Sequence, residues 1–339
     1  MGLSTSFSFT VPTELFAKEP PEQRGIARDE VKLMVINRKN YQIDHTLFYG
    51  LGRFLRPGDL LVFNASRTLP AVLNGYSPSI GSCIEVRLAE HLPDNSWLAL
   101  FRCEKGDRFS CGLRGGMHIN LGQGLSGMVH GRDKNIQRLW KIRFSKSGSE
   151  LMDTLYRFGQ PVRYEYLSVP WDLDYYQTIY ARDPGSAEMP SAGRAFTWNL
   201  IFDLKRSGVN TASIVLHTGL SSYMDDILDA KHPSSEEELF LSEATAEKIN
   251  NTHSNGGRVI AVGTTVVRAL ESAAEDNTER VTAMHQYTRL HITAEHKLKT
   301  VDGLLTGLHE PEASHLDLLS AFIPKEKVYQ SYNEAIKRK

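Results

Sequence analysis

Two histidines in the sequence are suited to moving protons. His217 lies in Leu216-His217-Thr218-Gly219 and His309 in Thr306-Gly307-Leu308-His309-Glu310-Pro311-Glu312. Each follows a run of strand composition, and imidazole is the side chain whose charge changes near neutral pH. Either one taken alone reads equally well as a hydrogen-bonded structural histidine; together, at the ends of strands that lead into polar turns, they read as acid–base groups. Arg268 joins them as a third catalytic candidate, with Glu271, three residues further along one helix, as its ion-pair partner. Side chains and backbone suited to holding a polar ligand lie in the same kinds of turn: Asn64 and Arg67, Thr218, the Gly263-Thr264-Thr265 turn, Glu310 and His315. A fifth loop, Ser186 to Thr197, adds Glu188, Ser191, Gly193 and Arg194. Its small residues allow backbone N–H groups to approach a ligand closely, and its carboxylate suits ribose hydroxyls.

These groups need elements to position them. Asp59 to Asn64 reads as a buried strand running into the polar turn Ala65 to Pro70. Ala212 to Leu216 is a strand that ends at His217. Arg258 to Val262 is a β-branched strand, and after Gly263 the period changes to helical, with Val266, Ala269, Leu270 and Ala273 on one face. Thr264 or Thr265 then occupies the N-cap position, where unpaired N–H groups favour an anion. Lys299 to Leu305 reads as a further strand ending at Thr306. Strand ends in an α/β sheet converge on one edge, so the four turns are expected to share a pocket with the fifth loop.

The remaining elements follow from the same periodicities. Phe7 to Val11 alternates like an edge strand, and Leu47, Phe48, Leu51, Phe54 and Leu55 mark a helix face. Thr197 caps a helix with Trp198, Ile201 and Phe202 on one side, Ser242 caps another, and Leu316, Leu319, Ala321 and Phe322 belong to a final helix. From about Ala71 to Leu155 the period is two, with Ile84, Val86 and Leu88 alternating against Glu85 and Arg87. The fold class is therefore α/β: a discontinuous layered α/β domain, 1–70 and 156–339, into which a small antiparallel β-barrel domain, 71–155, is inserted. Gly122 to Gly127 fits GxGxxG, but no helix frames it, and a glycine-rich strand connection accounts for it.

Composition narrows the function classes. The chain has 339 residues, 41% hydrophobic and 23% charged, with a formal net charge of -1. No apolar run reaches the roughly 20 residues of a bilayer span. The start of the chain lacks the apolar core of a secretory signal, which points to a cytoplasmic protein. No basic field marks nucleic acid, although a local patch can still bind folded RNA. Cys83, Cys103 and Cys111 match neither paired metal-ligand spacing nor a disulfide framework and read as buried thiols, so His118 and His130 are not read as zinc ligands.

Longer stretches carry a resemblance. YQTIYA (176–181), GSAEMPSAGRAFT (185–197), LHTGLSS (216–222), RVIAVGTTVVRALES (258–272), VDGLLTGLHEPEAS (301–314) and GDLLVFNASRTLPA (58–71) resemble the S-adenosylmethionine:tRNA ribosyltransferase-isomerases of queuosine synthesis. The likeness runs in order from about Phe7 to Ile336. It implies transfer of the ribosyl part of S-adenosylmethionine to a 7-aminomethyl-7-deazaguanine base in tRNA and its isomerisation to an epoxycyclopentane, releasing adenine and methionine. S-adenosylmethionine is then a co-substrate, tRNA the partner, and no metal, membrane or protein partner is implied. Arg67 or the Gly263-Thr264-Thr265 turn would hold an anionic ligand group, and His217 and His309 would transfer protons. This chain has Ala195 where the family has a histidine, and His232-Pro233-Ser234-Ser235-Glu236-Glu237 lacks a second one. Two alternatives stay open at this point: a divergent S-adenosylmethionine enzyme acting on a small acceptor, and a non-catalytic nucleoside- or RNA-binding relative.

Overall fold

The computed structural model describes residues 9–103, 112–163, 169, 171–223, 236–276, 278, 280–309 and 315–339. At its centre is a six-stranded sheet in the order β15-β13-β12-β3-β14-β16. Its strands are β3 (Leu60–Asn64), β12 (Asn210–Leu216), β13 (Glu237–Leu241), β14 (Val259–Val262), β15 (Met284–Thr288) and β16 (Gly303–Leu305). The four neighbours β12, β3, β14 and β16 run parallel, whereas β13 is antiparallel to both β12 and β15. Successive residues of β3 and β14 enter opposite cores. Leu60, Val62, Val259 and Ala261 face one side, and Leu61, Phe63 and Val262 the other. Near-continuous apolar runs in these strands are thus the signature of a sheet covered on both faces.

One face carries the helices Glu243–Ser254 (α3) and Thr264–Ala273 (α4); the other carries Trp198–Arg206 (α2) and the 3-10 turn Phe48–Phe54. That 3-10 turn replaces the expected helix: only Phe48 and Leu51 in it are buried, a face too short to hold a full helix against the sheet. Below the sheet, Asp59 is fully buried and accepts from the Arg258 guanidinium, joining the starts of β3 and β14.

The inserted segment is a closed barrel, β10-β7-β6-β5-β8-β9. Its strands are β5 (Val72–Ser77), β6 (Ser82–His91), β7 (Trp97–Cys103), β8 (His118–Gly122), β9 (Leu125–Arg132) and β10 (Leu139–Phe144). Ile84, Val86 and Leu88 point inward, as the period of two requires, until a register shift between Leu88 and Glu90 interrupts it. Helix α1 (Gly148–Phe158) packs Leu151 and Leu155 into the same core. The GxGxxG stretch is the turn between β8 and β9, with Gly122, Gln123 and Gly124 all at positive φ.

Strands β1 (Lys32–Ile36) and β2 (Ile43–Leu47) pair as an antiparallel hairpin outside the central sheet. Several local expectations change. Phe9 to Val11 form no strand, and Phe7 and Ser8 lie outside the described residues. Instead Phe9 packs on Tyr332 of the helix Lys325–Arg338 (α6), which follows the short helix His315–Ser320 (α5) and is the true final helix. The late strand begins at Gly303, not Lys299, because the Lys299, Thr300 and Val301 amides bond to Glu271. Trp198 and Phe202 are half exposed and stack on each other, leaving Leu200, Ile201 and Leu204 as the buried face of α2. The buried-thiol reading fails twice: Cys83 is exposed and free, since it falls on the outward phase of β6, and Cys103 is buried but disulfide-bonded; Cys111 lies outside the described residues. No helix among the described residues is long and apolar enough to cross a membrane.

Candidate active site

Because β12, β3, β14 and β16 are parallel neighbours, their C-terminal ends lie side by side, and His217, Asn64, Gly263 and Thr306 follow them in that order. Sheet spacing sets the separation: His217 and His309 follow strands three places apart, roughly 14 Å at the sheet. They flank the edge and do not meet.

The centre is built on backbone geometry. Gly263 has φ 102°, which only glycine adopts without strain, and it is the N-cap of α4, so Thr264 is the first helical residue. Neither threonine caps the helix, contrary to the expectation from sequence. The turn is tied to its neighbour by the Gly263 amide on the Leu305 carbonyl at 2.8 Å, and a side chain at Gly263 would meet Ala192 at 3.5 Å. The Ser191–Gly193 turn therefore borders the same helix start. The first amides of a helix have no partner within it, and here they face the strand edge.

Asn64 lies beneath, 1% exposed, with its amide fully used. It donates to the Leu216 carbonyl at 2.8 Å and the Thr265 hydroxyl at 3.3 Å, and accepts from Ser66 and Leu216 amides at 3.0 and 3.1 Å. It holds β3, β12 and α4 in register at the edge.

The turn after β3 is itself a short strand, β4 (Ser66–Thr68), parallel to β11 (Asp183–Ser186). Their pairing brings Ser66, Ser186 and His217 together. Ser66 Oγ is 2.8 Å from His217 Nδ1 and 2.5 Å from Ser186 Oγ, which also accepts from the Thr218 amide at 3.0 Å. The His217 ring lies against Gly185, where a Cβ would fall 2.5 Å from Nδ1. Burial depresses the His217 pKa below the usual histidine value. Next to it, the Thr218 hydroxyl donates to the Glu188 carbonyl at 2.6 Å, and the Glu188 carboxylate accepts from the Ser221 amide at 2.9 Å. Sequence reasoning missed Ser66, Ser186 and Gly185, because no local pattern links residues 66 and 186.

Arg67 is exposed on β4 with its guanidinium 5.0 Å above the Tyr156 ring, and no carboxylate among the described residues pairs with it. Arg194, by contrast, is engaged: it donates to the Tyr175 carbonyl at 2.9 Å and pairs with Glu22 at 2.8 Å. Burial opposes the Glu22 charge, but the Arg194 hydrogen bond and its charge hold that carboxyl below its usual range. Gly193 is buried with its Cα against the Tyr180 hydroxyl, and Ser191 is exposed at the rim.

Arg268 is held by Glu237 of β13 and by the Leu290 carbonyl at 2.9 Å. The expected Arg268–Glu271 pair does not form. The Glu271 carboxylate is fully buried and turned to other partners, taking three backbone amides and His296 at 3.1 Å.

At the far end of the edge, His309 Nε2 is 3.0 Å from the Thr306 hydroxyl, and its amide donates to the Tyr332 hydroxyl at 3.0 Å. Its ring stacks on His315 with centroids 4.3 Å apart and planes 3° from parallel. Burial, with His315 adding to it, pushes the His309 pKa down to about 3. Glu310 and Glu312 lie outside the described residues, as do His232 to Ser235. The edge thus combines two neutral imidazoles, an arginine without a carboxylate partner among the described residues and a helix start, a set that can hold an anionic group while tolerating a cation close by.

The barrel closes one side of this edge. Leu69, Ala187, Leu220 and Tyr223 belong to the barrel's own core, and a side chain at Gly219 would meet the Ala89 carbonyl at 3.0 Å.

Comparison with known proteins covers the whole chain. The family model described as "Queuosine biosynthesis protein" matches residues 4–339. An S-adenosylmethionine:tRNA ribosyltransferase-isomerase of Thermotoga petrophila is 34% identical over 340 residues, covering 99% of this chain and 95% of its own. The enzyme of the same name from Thermotoga maritima has the same identity and coverage. The crystal structure of S-adenosylmethionine tRNA ribosyltransferase from Thermotoga maritima superposes with a TM-score of 0.52 at 29% identity, over 98% of this chain and 94% of that one.

Proposed function

The chain belongs to the queuosine biosynthesis protein family, and from that premise we propose that it is an S-adenosylmethionine:tRNA ribosyltransferase-isomerase. It transfers the ribosyl moiety of S-adenosylmethionine to a 7-aminomethyl-7-deazaguanine base in tRNA and isomerises it to the epoxycyclopentane, with adenine and methionine leaving. The observation that carries this reading is end-to-end similarity to enzymes of that name, over both the α/β part and the barrel. No feature of the site favours a small-molecule acceptor or a binding-only relative.

The chemistry assigns work to the strand edge. A sulfonium acidifies the ribose carbon beside it, and adenine leaves more readily when a hydrogen bond stabilises the charge that grows on it. A cationic co-substrate is also held better between neutral imidazoles than between imidazolium ions. His217 and His309, both kept neutral by burial, meet that requirement. The α4 start and Arg67 suit the methionine carboxylate, and Glu188, with Thr218 and Ser191, suits ribose hydroxyls. Asn64, Arg194 and Gly193 act by shaping the walls. Arg268, held by Glu237 and the Leu290 carbonyl, keeps one buried guanidinium nitrogen without a hydrogen-bond partner among the described residues and stays a candidate for contact with substrate. His315 acts through its stack on His309.

The test is turnover. The purified chain is incubated with S-adenosylmethionine and a tRNA carrying 7-aminomethyl-7-deazaguanine, and the digested nucleosides are analysed by mass spectrometry. An epoxycyclopentane nucleoside with matching adenine and methionine release is expected. Adenine release with a small acceptor but not with tRNA, or binding of S-adenosylmethionine without any release, would overturn the assignment.

A further inference from the structure

The Ser66 hydroxyl, itself bonded to Ser186, makes the only hydrogen bond of His217 Nδ1 among the described residues, and the direction of that bond can be worked out by counting hydrogens. We propose that Ser66 and Ser186 form a one-directional relay that holds His217 in its Nε2–H tautomer, so that this histidine meets substrate as a hydrogen-bond donor and not as a base. The tautomer stands on geometry alone; its meaning for catalysis rests on the function proposed above.

Three hydrogens and three acceptors are involved. The Thr218 amide must donate, and its acceptor is Ser186 Oγ at 3.0 Å. If Ser186 donates to Ser66 at 2.5 Å, and Ser66 donates to His217 Nδ1 at 2.8 Å, every hydrogen in the chain is used. In the reverse order, Nδ1–H donates to Ser66 and Ser66 donates to Ser186. The Ser186 hydrogen then has no acceptor among the described residues, on a residue that is 0% exposed. An unmade hydrogen bond at a fully buried hydroxyl is the costly case, so the first order prevails. Nδ1 is thereby an acceptor, and the single proton of the neutral ring resides on Nε2, which has no partner among the described residues.

The His217 ring also packs closely on backbone. Gly185 lies flat against it, with a Cβ there falling 2.5 Å from both Nδ1 and Cε1, so the approach of the ring to Ser66 depends on the absence of a side chain at 185. Burial keeps the imidazole neutral. A neutral Nε2–H suits an acceptor atom of the co-substrate, such as a ring nitrogen of the departing adenine, with the proton remaining on the histidine. The base that removes the ribose proton is then a different group. Ser66, Ser186 and Gly185 are positioning residues: Ser66 and Gly185 touch His217, Ser186 acts through Ser66, and in the proposed reaction the contact with substrate is made by His217.

The experiment uses the full chain labelled with 15N-histidine, without substrate, at neutral pH. The His217 signals are assigned by their loss in His217→Gln. The expected spectrum has a protonated Nε2 and a pyridine-like Nδ1. In Ser66→Ala the constraint is gone, and the two nitrogen shifts should move toward each other as the tautomers mix. With S-adenosylmethionine and the modified tRNA, the same variant should lose at least ~10-fold in kcat while KM for S-adenosylmethionine stays within about two-fold. A wild-type protein with protonated Nδ1 would overturn the proposal, as would a Ser66→Ala spectrum identical to wild type. If Ser66→Ala does not fold, the wild-type spectrum still decides, and Ser186→Ala repeats the comparison. Absence of turnover by the wild-type chain would count against the proposed function and leave the tautomer result standing.

Discussion

Replacing His309 with Gln tests whether the turn after β16 holds a histidine that refuses a proton. Burial and the stacked His315 lower its pKa from the ordinary histidine value of about 6.5 to about 3. In the unfolded chain the imidazole takes up a proton as pH falls through about 6.5. The folded protein does not do so until about pH 3. Between these values the unfolded state binds more protons, so stability is complete above the unfolded pKa and falls as pH drops through the window. Each pH unit inside it is worth ~1.4 kcal/mol. Moving from pH 7.5 to pH 5 crosses about 1.5 units of the window, so His309 alone should cost the wild type ~2 kcal/mol. Gln does not titrate, and its amide can keep the hydrogen bond to Thr306. Urea unfolding of both proteins at the two pH values, followed by tryptophan fluorescence at constant ionic strength, should show the wild type losing ~2 kcal/mol more than His309→Gln. Parallel losses, equal to within about 0.5 kcal/mol, would mean that His309 titrates normally in the folded state. The argument for a neutral imidazole beside the sulfonium would then fail at that position.

Two other substitutions separate the binding edge from the scaffold beneath it. Thr264→Ala removes a hydroxyl from the first residue of α4 but leaves the Gly263 turn in place; calorimetry should show S-adenosylmethionine binding weakened several-fold with the melting temperature nearly unchanged, and unaltered affinity would make the turn purely structural. Glu271→Ala strips the partners from the Lys299, Thr300 and Val301 amides and from His296. Loss of a buried, multiply bonded carboxylate should cost ~3 kcal/mol or more, visible as a clear drop in melting temperature; a drop of under one degree would contradict the bonding seen at that carboxylate.

Much of the site could be read from residue order. The strand-to-turn junctions at Asn64, His217, Gly263 and Thr306 appear as apolar runs followed by polar residues, and the observed parallel pairing of β12, β3, β14 and β16 puts all four at one edge. The barrel was legible for the same reason, since alternation at period two is local. What local patterns misassigned was partnership. Arg268 and Glu271 have ion-pair spacing, yet each has a better partner from another element, Glu237 and the 299–301 amides. Arg194 looked available to a ligand and is instead paired with Glu22, 172 residues away. Trp198 and Phe202 matched a helical face, but the sheet lies against the opposite side of α2.

By itself, then, the sequence determined the kinds of most elements, the polar residues at the C-terminal ends of the central strands and, through motifs spread along the whole chain, the family. Those properties depend on neighbours within a few positions or on matching long stretches in order. Only the tertiary structure decided what each polar group does at the edge. Asn64 became a register pin, Arg67 lies above Tyr156 with no carboxylate partner among the described residues, and His217 gained Ser66 as a partner, backed by Ser186. The physical reason is burial. Once side chains leave water, each donor and acceptor must find a partner in space, and those partners come from strands and helices far apart in the chain.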